Sequence, residues 1–106
     1  MIFLTRPLPG REEEYNHWYD RVHLPDVLKV PGFRSAQRFR LHSEIAGGIQ
    51  SYLAIYEIEA DDLGDVKREM GRRIKSGEMA MSEAIDWSGN VAGYFEPLGE
   101  RMLSVS

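Results

Sequence analysis

Cysteine is absent from the chain. Disulfides, thiolate nucleophiles and cysteine-ligated zinc are thereby excluded, and the composition suits a reducing compartment. Long apolar runs are absent as well. The opening segment MIFLTRPLPG carries only a short one, with no basic leader or small-residue cleavage site, and no later stretch reaches membrane-spanning length. A soluble, cytoplasmic protein without a membrane partner is expected. Positive charge is in deficit: 13 Lys and Arg face 17 Asp and Glu, giving a formal net charge of -4 with the signs interspersed. No basic surface is left to hold a phosphate backbone, so no nucleic-acid partner is expected. His17 and His23 fall on different faces of their helix and no tight His/carboxylate set accompanies them, so no metal site and no bound cofactor are expected. Internal repeats and low-complexity segments are also missing.

What the chain does have is 106 residues, 42% of them hydrophobic, enough for one small domain over 1–106 and too few for a second core. The stretch Arg11 to Phe33, REEEYNHWYDRVHLPDVLKVPGF, organises the rest. Tyr15, Trp18, Tyr19, Val22 and Asp26 fall at the spacing of one helical face, and all but the last are bulky and apolar or aromatic. That face is expected to be buried, with His23 on its edge one turn beyond Tyr19 and His17 on the solvated side. Pro25 lacks an N–H and biases Leu24 away from α geometry, so regular helix is expected to stop or kink near His23. At such a helix end free carbonyls raise an imidazole's pKa and burial lowers it; the sequence leaves the sign open. A further turn, Pro25 to Lys29, and a Pro31-Gly32 turn lead into Phe33.

The remaining elements follow from alternation and punctuation. Ile2 to Thr5 reads as a first strand. Phe33 to His42 reads as a second, with Phe33, Ser35, Gln37, Phe39 and Leu41 on one face and a basic set including Arg38 and Arg40 on the other. Ser43 to Gln50 reads as a hairpin loop. In the return strand, Ser51 to Ile58, Leu53 and Ile55 face one way and Tyr52, Tyr56 and Ile58 the other, so both faces require cover. Asp61-Asp62 caps a second helix with an apolar stripe of Leu63, Val66, Met70 and Ile74, ended by Ser76-Gly77. Glu78 to Ala84 is expected to form a short extra turn, Asp86 to Asn90 a loop, and Val91 to Phe95 the last strand, with the tail 97–106 unassigned. The order β-α-β-β-α-β is the split βαβ arrangement: an α+β, ferredoxin-like fold with a four-stranded antiparallel sheet and two helices on one face. Such a sheet leaves its other face bare, which predicts a homodimer closing sheet against sheet.

With that order in place, the chain resembles the dimeric α+β barrel superfamily, in particular its EthD-like members and the methylmuconolactone methylisomerase type. The resemblance is carried by Tyr15, Trp18-Tyr19, His23-Leu24-Pro25-Asp26 and Pro31-Gly32-Phe33. It implies a ferredoxin-like protomer, a homodimer forming an α+β barrel, and a pocket between sheet and helices for small, often cyclic or aromatic, organic molecules. Isomerases, cyclases, cofactor-free monooxygenases and haem-degrading enzymes share the architecture, so fold does not choose among them. The histidine of the family's H-L-P segment corresponds to His23 as general acid/base. One departure is the missing cysteine, since a cysteine is implicated in the methylisomerase site.

The candidate site is therefore His23 and Tyr19 as catalytic residues, with Tyr15, Trp18, Val22 and Asp26 as substrate-binding residues. A group titrating near neutrality beside an aromatic face suits proton transfer to a bound carbon acid or lactone. Asp20 and Asp26 are each placed to hold its tautomer. The expected function is a cofactor-independent isomerase, lyase or cyclase acting on a small hydrophobic or cyclic metabolite. The alternatives are a non-catalytic ligand-binding or accessory protein of the same fold and, third, a cofactor-free or haem-dependent monooxygenase, the haem version weakened by a second helix without histidine. Trp87 reads as a lid or an interface anchor.

Overall fold

A computed structural model describes residues 1–105. Four strands, β1 (Ile2–Pro7), β2 (Phe33–Arg40), β3 (Tyr52–Ile58) and β4 (Ile85–Gly93), form one antiparallel sheet in the order β2-β3-β1-β4. Helix α1 (Glu12–Trp18), a π-helical turn (Tyr19–His23) and α2 (Leu24–Leu28) run on from one another, and α3 (Leu63–Ser76) follows β3. The fold is thus the expected α+β arrangement of β-α-β-β-α-β type, with the two helical bodies on one side of the sheet. No helix among the described residues is long and apolar enough to cross a membrane.

Of the stop or kink expected near His23, the stop does not occur, and regular α-helix is interrupted there by the π turn instead. Leu24 keeps α geometry, with φ -58° and ψ -47°, and its N–H bonds to the Tyr19 carbonyl five residues back. The chain meets Pro25 by widening one turn before it, changing register where an N–H is missing rather than ending the helix. The wide turn has a second effect. Tyr15, Tyr19, His23 and Val27 recur every fourth residue and are all buried; in an unbroken α-helix that spacing drifts off one face, and the π turn brings it back. His23 therefore lies within the buried stripe, while Val22 and Asp26 are only half-buried.

β3 alternates as expected: Tyr52, Ala54 and Tyr56 are buried under the helices and Ile55 is exposed on the far face. In β2 the pairing slips by one residue between Phe33 and Ser35. This bulge at Arg34 turns Phe33 to the helix side, where it packs edge-on against Tyr56 at 5.9 Å, instead of leaving it beside Phe39. The basic face of β2 is likewise turned inward, since Ala36 and Arg38 pair with Tyr56 and Ala54.

The last third departs most from expectation. β4 begins at Ile85, not Val91, and takes in the segment expected to be a loop. The loop signal is real, because between Leu4↔Val91 and Arg6↔Asp86 residues 87–90 oppose Thr5 alone. The result is a wide bulge within a strand, with Gly89 at φ 73°. Glu78 to Ala84 contains no helical turn. On the face away from the helices Phe39, Ile55 and Val91 are exposed, and Leu98, Met102 and Leu103 in the tail contact little.

Candidate functional site

A cavity of about 620 Å³ lies between α3, the π turn and the sheet. Its floor and inner wall are Phe3 and Thr5 of β1, Trp18, Tyr19 and His23, and Ile85 and Ala92 of β4; Met70 and Ile74 of α3, with Met81, Trp87 and Tyr94, form the outer side. No Asp, Glu, Lys or Arg lines it. The surface is almost wholly aromatic and aliphatic, with polar groups supplied by Thr5, Tyr19, His23, Tyr94 and the Trp18 and Trp87 indoles, and with Met1, whose terminal ammonium donates to the Tyr56 carbonyl at 2.9 Å, at its edge.

His23 is fixed by packing. Its ring stacks on Trp18 at 4.5 Å and 24° and meets Tyr19 edge-on at 5.2 Å. Trp18 is itself pinned by an Nε1–H that donates to the Ala80 carbonyl at 2.9 Å. Nδ1 of His23 is buried and has no hydrogen-bond partner among the described residues, so none of them sets the tautomer through it. Burial lowers the imidazole's pKa from 6.5 to about 4, against the opposing charge of Asp26. The helix runs on through Leu24, so His23 does not sit among the free carbonyls of a helix end, and desolvation decides the sign. Neither expected carboxylate bonds to it: Asp20 accepts from Arg38 at 2.8 Å, and Asp26 pairs with Lys29 at 3.7 Å.

Tyr19 is supported from behind. The Arg38 guanidinium lies 4.4 Å from its ring centroid and also faces the rings of Tyr15 and Tyr52, at 5.4 and 5.1 Å. The donors of Arg38 go to Asp20 and to Asn16, the latter at 2.7 Å, so this cation braces the aromatic face and does not reach the cavity. Burial raises the Tyr19 pKa, with the Arg38 charge pulling the other way, and the hydroxyl stays protonated at neutral pH.

Of the six residues singled out in the sequence, Trp18, Tyr19 and His23 meet in the cavity wall. Tyr15 lies behind them, fully buried, its hydroxyl hydrogen-bonded to Thr5, which does line the cavity. Val22 and Asp26 lie outside the wall. Sequence reasoning missed the far side of the chamber. Met70 and Ile74 were readable as the α3 stripe, and Trp87 as a lid, but nothing marked Phe3, Thr5 or Met81. Among the described residues no group of three or more His, Asp and Glu side chains is gathered as a metal would require.

No protein-family model matches the chain, and no curated protein sequence does so. In three dimensions the chain is similar to the crystal structure of an EthD family protein from Bacillus halodurans, with a TM-score of 0.54 and 15% identity over 90% of this chain and 96% of that one. The EthD-like fold is therefore shared, and at that identity the likeness speaks for the fold alone.

Proposed function

We propose that the cavity binds an uncharged, largely hydrophobic ring compound and that the protein transforms it without a cofactor, by proton transfer centred on His23. The carrying observation is a buried, neutral imidazole, packed between Trp18 and Tyr19 in the wall of a chamber that has no charged side chain. A charged ligand entering there would lose most of its hydration with no charged side chain to replace it, at a cost of several kcal/mol. A neutral ring loses nothing of that kind and gains the apolar contact. The volume suits a molecule of several fused rings.

In this reading neutral His23 takes a proton from a carbon or hydroxyl of the ligand, and the Tyr19 hydroxyl donates to the oxygen on which negative charge develops. Return of the proton to another carbon gives an isomerase outcome; its delivery to a departing hydroxyl, which leaves as water, gives a lyase outcome, and its delivery to carbon as the ligand's own deprotonated hydroxyl adds across a double bond gives a cyclase outcome. Two measurements test the proposal. Fluorescence titration should show 1-hydroxypyrene bound at least about tenfold more tightly than 1-pyrenecarboxylate, a discrimination of about 1.4 kcal/mol; equal binding of the two removes the charge argument. The protein should also catalyse hydrogen–deuterium exchange of 2-tetralone at the carbons next to its carbonyl, with His23→Ala slower by on the order of 100-fold and His17→Ala unchanged. A wild-type rate no higher than that of His23→Ala removes the chemistry and leaves a ligand-binding protein. One observation favours that second reading: no carboxylate orients His23, as acid/base histidines commonly require.

We infer also that the protein functions as a homodimer joined through the sheet face away from the helices. The support is the apolar strip on that face, in which Phe39, Ile55 and Val91 are exposed and Leu4 and Leu53 half-buried.

A further inference from the structure

We propose that a bound ligand serves as the missing core of helix α3, so that the middle of this helix is loosely held in the empty protein and becomes ordered when the cavity fills; this rests on the cavity being the binding site described above. The two helical bodies are held very differently. The α1–π–α2 body buries Tyr15, Trp18, Tyr19, His23 and Val27, whereas α3 buries only Val66. The rest of the α3 stripe is unfinished: Leu63 is 37% exposed, Ile74 is 42% exposed, and Met70 and Ile74 look into the cavity. Across the chamber Ala92 is open on the helix-facing side of the sheet, so helix and sheet do not meet there.

Within the gap α3 is held only lightly, by Met70 packed in part against the core and Lys67 over the Tyr94 ring at 5.0 Å, and its firm pins lie beyond it. At its start Val66 packs where Gly32 has no side chain, its methyl 3.1 Å from the place a Cβ would occupy. After its end Met79 is buried and the Ala80 carbonyl holds Trp18. What chiefly keeps α3 helical between the pins is local capping and ion pairing. Asp62 caps the first turn at 2.8 Å, Gly77 closes the last in the left-handed conformation, and Arg72 bridges Glu69 and Glu78. A helix of this length is marginal on such local terms, and packing normally supplies the rest. Here the packing partner is a void. Met70, flexible and polarisable, is suited to close on ring faces of varied shape.

Hydrogen exchange of the whole chain, read by mass spectrometry with and without 1-hydroxypyrene, tests this. In the empty protein the amides from Met70 to Ile74 should exchange at least about tenfold faster than those of β1 and β3, reflecting local opening. With 1-hydroxypyrene free at ten times its Kd, protection of that stretch should rise about tenfold, because opening then requires release of the probe. Ala92→Phe, which fills the chamber from the sheet side, should give a comparable rise with no probe present and should abolish binding; Ala92→Leu serves if the larger ring prevents folding. Binding of 1-hydroxypyrene with unchanged α3 exchange overturns the proposal and leaves the binding site standing. A folded cavity-filled variant without added protection overturns it as well. Failure of 1-hydroxypyrene to bind removes the binding site and this proposal with it.

Discussion

Acid should weaken this protein through one residue in particular. In the unfolded chain a histidine titrates near 6.5; in the folded protein burial holds His23 neutral down to about pH 4. The folded pKa is the lower one, so between the two values the unfolded chain binds a proton that the folded chain refuses. Stability from this source is complete above about pH 6.5 and falls as the pH drops toward 4. A shift of that size corresponds to about 3 kcal/mol in total, of which about 2 to 2.5 kcal/mol is lost between pH 7 and pH 4.5. For a domain of this length that is a large share of the whole. His23→Phe retains a flat ring against Trp18 and Tyr19 but cannot titrate. Urea unfolding of both proteins at pH 7 and pH 4.5 isolates the effect, since the carboxylates that also respond to acid are common to the two. The wild type should lose about 2 kcal/mol more than the variant, a difference in midpoint of about 1 M urea. Parallel losses would refute the reasoning and return His23 to a solvated or paired state.

Two further outcomes follow from the packing. Leu53→Asp places a charge on the sheet face away from the helices and should convert a dimer to a folded monomer by light scattering, whereas Tyr56→Asp, on the helix side, should unfold the chain; a wild-type monomer at micromolar concentration ends the dimer inference. Gly32→Ala should cost about 1–3 kcal/mol in urea unfolding, because Gly32 has φ +103° and the Val66 methyl already occupies the space; a variant of unchanged stability would show that the Gly32 turn and α3 are not locked together.

The elements most legible in the sequence were those whose signals are periodic and local. Tyr15, Trp18 and Tyr19 declare a buried helix face by spacing, the alternation through Tyr52 to Ile58 separates the two sides of β3, and Asp62 and Gly77 bracket α3. What was illegible depended on changes of register. A π turn adds one residue to a helical face, and Pro25, read as a stop or a kink, marked this adjustment of register. The Arg34 bulge turned Phe33 over, and the bulge at 87–90 hid a strand behind residues that favour loops. The site followed the same division. Trp18, Tyr19 and His23 share one helical body and were found together. Phe3, Thr5, Met70, Ile74 and Met81 come from elements far apart in the chain, and only tertiary packing places them round one chamber.

The weak basicity of His23 and its proposed role as a base bear on the same cavity in opposite states. Empty, the chamber surrounds the imidazole with a mostly apolar wall, the attraction of Asp26 does not offset the lost hydration, and the pKa falls to about 4. In the proposed reaction, a ligand that gives up the proton would leave an oxyanion against the imidazolium, and in a medium of low effective dielectric that attraction is far stronger than in water. The two charges form together and within contact, so the desolvation that depresses the free pKa is offset only as the transfer proceeds. In the proposed reaction Tyr19 would add to the asymmetry, since its hydroxyl stays protonated and a donor there stabilises a developing oxyanion more than a neutral ligand. A solvated histidine would be the better base before the ligand arrives. A buried one favours the transition state over the ground state, because only there does the cavity contain the charge that its imidazole needs.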